Sequence, residues 1–187
     1  MTLPTLETER FFIRPLQESD LDLMLEMDTD PEIMKHVGGA MTEEEVRSRL
    51  PNYLHRDEEK IHGQWCIVSK TDGERHGLVL VKPMPVEEPN GRLFDTIEAS
   101  GIEIGYRLRK TSWGKGIATE ASEPFLALQF DEVGLDRLIA CIDPENNGSQ
   151  NVLKKLGMRY IGETPAYGLI LPTFEITAAE WRAARNS

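Results

Sequence analysis

Gly114 and Gly116 bracket Lys115 at the point where a strand pattern gives way to a helix pattern, in the run Trp113-Gly114-Lys115-Gly116-Ile117-Ala118-Thr119. A turn of this kind can bind an anion. Unpaired backbone N–H groups converge there, the helix dipole adds partial positive charge, and glycines let a ligand approach the main chain. A pyrophosphate suits that geometry. The glycines also suit a tight turn with no ligand. A phosphate loop of the G-x-x-x-x-G-K-[ST] type is excluded, because neither its spacing nor its ending is present. The dinucleotide pattern G-x-G-x-x-G is met at Gly114 and Gly116 and fails at Thr119, so a Rossmann-like nucleotide binder stands as an alternative.

The elements around this turn follow from periodicity. Residues 100–108 alternate as a strand, with Ile102, Ile104, Tyr106 and Leu108 on one face and Gly101, Glu103, Gly105 and Arg107 on the other. A helix is expected from Gly116 to Asp131, kinked at Pro124. Upstream, Thr8–Leu16 reads as a strand ended by Pro15. Ser19 or Asp20 can cap a helix that buries Leu21, Met24, Leu25 and Met27. Thr42 and Glu45 form a capping box for a helix running toward Arg56, with Pro51 expected to kink or split it. Gln64–Lys70 and His76–Pro83 read as strands joined around Asp72-Gly73, and Met84–Asn90 as a loop or long hairpin tip. A further strand is expected over Leu135–Ile142. Asn146, Asn147 and Ser149 can cap a helix that starts near Gln150.

The chain has 187 residues, 40% apolar and 28% charged, which suits one soluble domain spanning residues 1–187. The net charge of −11 argues against nucleic-acid binding and attracts a cationic amine or basic protein tail, although acidity also serves solubility alone. Cys66 and Cys141 sit in apolar stretches and read as small buried hydrophobes, so neither a disulfide framework nor a metal site is expected. No apolar run approaches the roughly 18 residues of a membrane span, and the first residues lack a signal-like core. Cytoplasmic residence without a membrane partner is the expectation. No Ser or Cys is paired with a nearby His and acid, which argues against a covalent enzyme intermediate.

Glu103-Ile104-Gly105-Tyr106, followed by Trp113–Ala121 (Trp-Gly-Lys-Gly-Ile-Ala-Thr-Glu-Ala), resembles the acetyl-CoA-binding segment of the GNAT N-acetyltransferases, in particular the branch of ribosomal-protein N-terminal acetyltransferases. Residues 144–158, from Pro144-Glu145-Asn146-Asn147 to Leu156-Gly157-Met158, resemble the family's N-x-x-S-x-x-V-L-x-K-x-G-F. Leu6–Pro15 resembles the branch's first strand, and Phe174–Trp181 its closing strand and helix. The likeness covers nearly the whole chain. It departs at Trp113, where the superfamily usually has Gln or Arg, at Met158 in place of Phe, and over residues 56–100, a region that can shape the acceptor site.

The resemblance implies an α/β fold of mixed α+β type, with a mostly antiparallel central sheet, two splayed parallel strands (residues 100–108 and 135–142) and flanking helices. It implies acetyl-CoA as cosubstrate, with the pantetheine arm along Ile104, Tyr106 and Leu108 and the pyrophosphate on Trp113, Gly114, Lys115, Gly116, Ile117, Ala118 and Thr119. Arg109 and Lys115 add positive charge there or are ordinary surface residues. Asn146, Ser149 and Asn151 match positions that contact the cofactor or the reacting centre, and helix capping is their other reading. Lys155 matches the motif lysine and reads as a solvated helix face. Glu103 is the candidate general base, with Gly101 and Gly105 leaving room for a substrate beside it; its other reading is a cross-strand ion pair. Ser149 is a candidate proton donor to the leaving thiolate, with Tyr106 and Tyr160 as rivals, and Glu120 is expected to complement the helix dipole. The acceptor would be a small-molecule amine or a protein N-terminus, and family habit alone suggests a homodimer. A CoA-binding protein without turnover is the non-enzymatic alternative.

Overall fold

The computed structural model describes residues 3–87, 93–94 and 101–185, so Ser100 and the end of the Met84–Asn90 stretch lie outside the described residues. The chain forms two compact units, residues 1–80 with 105–124, and residues 81–104 with 125–187.

In the first unit, β1 (Leu6–Glu7), β2 (Phe11–Pro15), β3 (Gly63–Ser69), most of β4 (Arg75–Pro83) and the end of β7 (Ile102–Leu108) pair in the order β1-β2-β3-β4-β7. Alternation in β2 buries Phe11 and Ile13 and leaves Phe12 outside, and Ile13 lies opposite Ile67 of β3. Helix α1 (Leu21–Asp28) buries Leu23, Met24 and Met27 against Leu16, Cys66, Leu78 and Val46. Each such side chain contributes about 2 kcal/mol on burial. Helix α2 (Glu43–Tyr53) begins at the expected capping box: the Glu45 N–H donates to Thr42 Oγ1 at 3.3 Å, and the Thr42 N–H donates to Glu45 Oε2 at 2.7 Å.

The second unit holds the end of β4, a small hairpin of β5 (Val86–Glu87) and β6 (Leu93–Phe94), the start of β7, β8 (Arg137–Cys141), β9 (Arg159–Ala166) and β10 (Leu169–Thr177). Its main sheet runs in the order β4-β7-β8-β10-β9. β10 is antiparallel to β8 and β9, whereas β7 and β8 are parallel and meet at Glu103 opposite Ile139. A single register pair among the described residues is what splayed parallel strands require, and the sheet is the mixed, mostly antiparallel one expected. Met84, Ile139 and Ala166 pack as a core. Helix α3 (Ile117–Ala127) runs from the first unit into the second; α4 (Asn147–Lys155) and α5 (Ala178–Arg185) belong to the second, where Trp181 of α5 packs on Phe130 with ring centroids 5.6 Å apart.

Two local expectations change, the split at Pro51 and the cap at Asp20. Pro51 does not split α2: it lies in the last turn, and the helix ends two residues later at Tyr53, well short of Arg56. Pro124 is spanned by α3, and α-helical geometry gives way only at a π turn over Leu128–Val133, closed by Gly134 at φ 82°. Asp20 makes no side-chain cap for α1. Its buried carboxylate instead accepts two 2.7 Å bonds from Arg14 and one at 3.2 Å from Arg75. Among the described residues, no helix is long and apolar enough to cross a membrane.

Candidate active site

β7 leads through a short 3-10 turn (Lys110–Ser112) into the glycine loop. The indole Nε1 of Trp113 donates to the Leu108 carbonyl at 3.0 Å, which fastens the loop to the strand end. Gly114 and Gly116 have φ of 72° and 74°, the left-handed region where glycine is tolerated best. A Cβ on Gly114 would meet nothing within 4 Å, and one on Gly116 only Arg10 Nη2 at 3.8 Å. The loop surface is therefore open, and Ile117 and Ala118 anchor the start of α3 in the interior.

The cations near the loop include one beyond the pair expected. Arg109 is held by Glu26 through two bonds of 2.7 and 2.6 Å and donates to the Arg75 carbonyl at 3.1 Å. Lys115 is exposed on the loop itself. Arg10, which sequence reasoning passed over, donates to the Lys115 carbonyl at 3.1 Å and to Glu120 Oε2 at 2.6 Å. Glu120 also accepts from the Arg10 N–H at 2.9 Å and from Thr8 Oγ1 at 2.7 Å. Burial works against its charge, but those hydrogen bonds outweigh it and hold the carboxyl below its ordinary range. Glu120 thus does more than face a helix dipole: it ties α3 to the turn between β1 and β2.

Along β7, Ile102, Ile104 and Leu108 are buried and Tyr106 is half-buried. On the other face, Arg107 pairs with buried Asp28 of α1 at 2.7 Å, and Tyr53 donates to the same carboxylate at 2.8 Å. The glycines beside Glu103 do not leave the room expected of them. A Cβ on Gly101 would lie 3.1 Å from Ile139 Cδ1, and one on Gly105 3.2 Å from Leu80, so these positions are small because neighbouring side chains fill the space.

Glu103 is 7% exposed. The Met84 N–H bonds the Gly101 carbonyl at 3.1 Å, and this register sets Lys82 opposite Glu103. The carboxylate accepts a short hydrogen bond from the hydroxyl of Tyr167, whose ring carries the Lys82 ammonium 5.3 Å from its centroid. Burial pushes the Glu103 carboxyl above its usual range, while Lys82 and the Tyr167 hydroxyl work in the opposite direction. Cys141 of β8 lies near enough to feel this charge; burial lifts its thiol to about 11. Cys66 is pushed to about 12, again chiefly by burial. Neither thiol supplies a thiolate nucleophile at neutral pH.

At the start of α4, Asn146 is the N-cap: its Oδ1 accepts from the Ser149 N–H at 3.0 Å. Ser149 is half-buried, whereas Asn151 and Lys155 are exposed. Tyr160 is 57% exposed and stacks edge-on against Phe174, and so lies off the core. Tyr106, Leu108, Arg109 and the residues from Trp113 to Thr119 belong to the first unit; Glu103, Ile104, Asn146, Ser149 and Asn151 belong to the second. Among the described residues, no group of three or more His, Cys, Asp or Glu is placed to hold a metal ion.

Residues 10–159 match the family model described as an acetyltransferase (GNAT) domain. The chain belongs to the GNAT acetyltransferase family. It is an acetyl-CoA-dependent N-acetyltransferase, and hence an acyltransferase. A similar protein from Aspergillus fumigatus, FsC-acetyl coenzyme A-N(2)-transacetylase, is 29% identical over 95% of this chain and 78% of its own length. The crystal structure of an acetyltransferase from Agrobacterium tumefaciens superposes with a TM-score of 0.78 at 23% identity, covering 94% of this chain and 95% of that one. The aminoglycoside acetyltransferase AAC(6')-Ib in complex with coenzyme A superposes with a TM-score of 0.71 at 18% identity, covering 92% of this chain and 98% of that one. These superpositions establish the GNAT fold. The open, left-handed loop at the start of α3 fits the cosubstrate that the family uses.

Proposed function

We propose that this GNAT enzyme transfers an acetyl group directly from acetyl-CoA to a primary amine, with Glu103 as general base. The observation that carries this reading is a carboxylate buried in the parallel strand pair, raised in pKa and, among the described residues, bonded to a phenol and not to an arginine. A free amine is mostly protonated at neutral pH, and a base poised above the ordinary carboxylate range is better matched to remove that proton. Bound acetyl-CoA supplies the activated thioester. The N–H groups from Trp113 to Thr119 would hold its pyrophosphate, with Lys115 and Arg109 adding charge and Arg10 bracing the loop through the Lys115 carbonyl, and the backbone of Ile104, Tyr106 and Leu108 would hold the pantetheine arm. Asn146, as the cap of α4, and exposed Asn151 would contact the cofactor. Ser149 would protonate the departing thiolate. The high thiol pKa values support direct transfer over a cysteine acyl-enzyme.

The acceptor class is a cation, either a small amine or a basic protein N-terminus as in the ribosomal-protein branch, and the net charge of −11 supports it. The N(2) in the name of the similar Aspergillus fumigatus protein supports a nitrogen acceptor. The family match crosses both compact units, which supports one catalytic domain.

The test is Glu103→Gln. Acetyl-CoA affinity by calorimetry should be nearly unchanged, while CoA release with polyamines or basic N-terminal peptides falls about a hundredfold or more. Full turnover in the variant would make Glu103 structural. Which acceptor panel responds decides between small molecule and protein.

A further inference from the structure

Tyr167 occupies a backbone conformation that its residue type disfavours. Ala166 pairs with Leu169 across the β9–β10 hairpin, leaving Tyr167-Gly168 as a two-residue turn with φ of 54° and 73°. Such a turn wants Asn-Gly, Asp-Gly or Gly-Gly, because both central residues have positive φ. A bulky aromatic there is strained, and strain of this kind persists where the surroundings over-determine it. The residue is 41% exposed, so it is not a core side chain. Its hydroxyl reaches inward to Glu103 Oε2, across 64 positions of sequence.

Resting on the reading of Glu103 as base, the geometry points to Tyr167 as a positioning residue: its hydroxyl ties up Oε2, fixes the orientation of the carboxylate and leaves Oε1 to take the acceptor's proton. A lone carboxylate buried in a sheet tends to neutralise itself by taking a proton, and then it cannot act as a base. Among the described residues, the groups facing Glu103 are Lys82 from β4, Cys141 from β8 and Tyr167 from the β9–β10 turn. Lys82 and the phenol favour the charged carboxylate; the Cys141 thiol, lifted to about 11, stays neutral. Burial and the nearby carboxylate push the Tyr167 phenol well above its ordinary value, so it remains a donor throughout the working range. Lys82, over the ring face, steadies the same side chain from outside. The turn gives up stability to place one donor.

The readout is the titration of Glu103 itself, which needs no acceptor. In protein labelled with 13C at glutamate Cδ, the Glu103 signal is assigned by its loss in Glu103→Gln and followed against pH. Tyr167→Phe keeps the ring and removes the donor; the Glu103 midpoint should rise by about one pH unit. Tyr167→Asn also removes the donor but suits the turn, so its Glu103 midpoint should rise similarly, and it should be more stable than Tyr167→Phe, which loses the same hydrogen bond and keeps the strained turn. An unmoved Glu103 midpoint in both variants overturns the proposal. So does a Tyr167→Asn protein less stable than Tyr167→Phe, which would make the ring a packing residue. Neither result depends on turnover. An active Glu103→Gln enzyme overturns the base role separately, whatever Tyr167 does to the titration.

Discussion

Arg10 Nε lies 2.6 Å from Glu120 Oε2, joining the chain just ahead of β2 to the first turn of α3. The same guanidinium reaches the Lys115 carbonyl at 3.1 Å, so one side chain holds both the loop and the helix that follows it. The pair is half exposed on the arginine side, and screening limits its worth to stability to under about 1 kcal/mol.

Arg10→Ala should therefore cost little in thermal stability but weaken acetyl-CoA binding about five- to tenfold, through a looser loop. Calorimetric titration beside a thermal melt checks it. Equal affinity in parent and variant would reduce Arg10 to a strand anchor.

Gly114→Ala should separate a ligand loop from a plain turn. No neighbour obstructs the added methyl, so only the left-handed conformation resists it, at about 1 kcal/mol. Acetyl-CoA affinity should drop by about tenfold or more, because the methyl stands where a phosphate must approach the backbone. A small stability loss with unchanged affinity would mean that the turn binds no phosphate.

Asn146 combines a cap with a suspected contact, and two substitutions divide the roles. Asn146→Ala should cost about 1 kcal/mol by urea denaturation, since the Ser149 N–H loses its acceptor. Asn146→Asp keeps a capping oxygen and hence the stability, but its negative charge should weaken acetyl-CoA binding severalfold. Parent-like binding by the aspartate variant would leave Asn146 as a cap alone.

Asp20 predicts acid sensitivity. Burial tends to raise its pKa, but bonds from Arg14, the Gln17 N–H and Arg75 outweigh that and hold it below the ordinary value. A carboxyl depressed on folding contributes its stability above the unfolded value of about 3.9 and loses it as pH falls through the folded one. Asp20→Asn should cost about 3 kcal/mol at pH 7, and the gap from the parent should narrow below about pH 3.5. Urea midpoints at pH 7 and pH 3 decide it; a gap independent of pH would assign the loss to packing.

The parts legible in the sequence were those written in local spacing. Alternation from Ile102 to Leu108, the Thr42–Glu45 box and the paired glycines at 114 and 116 each act within a few residues, and each appears where expected. The helices continue through both prolines. Pro51 and Pro124 mark one missing hydrogen bond apiece, and the neighbouring turns carry the helix past them.

The sequence by itself determined the mixed α/β class, the glycine turn at Trp113–Thr119 and, through motif likeness, the family. These depend on period, turn chemistry and motif spacing, which a linear chain displays. Tertiary structure alone decided the partners. Asp20, a plausible cap by type, became a buried ion-pair centre because Arg14 and Arg75 reach it. The room expected beside Glu103 was filled by Leu80 and Ile139. Arg109 was paired with Glu26, and Arg10 reached the loop. The phenol on Glu103 came from a hairpin turn 64 residues away. Long-range pairing depends on which strands become neighbours and in what register, and no local period carries that information.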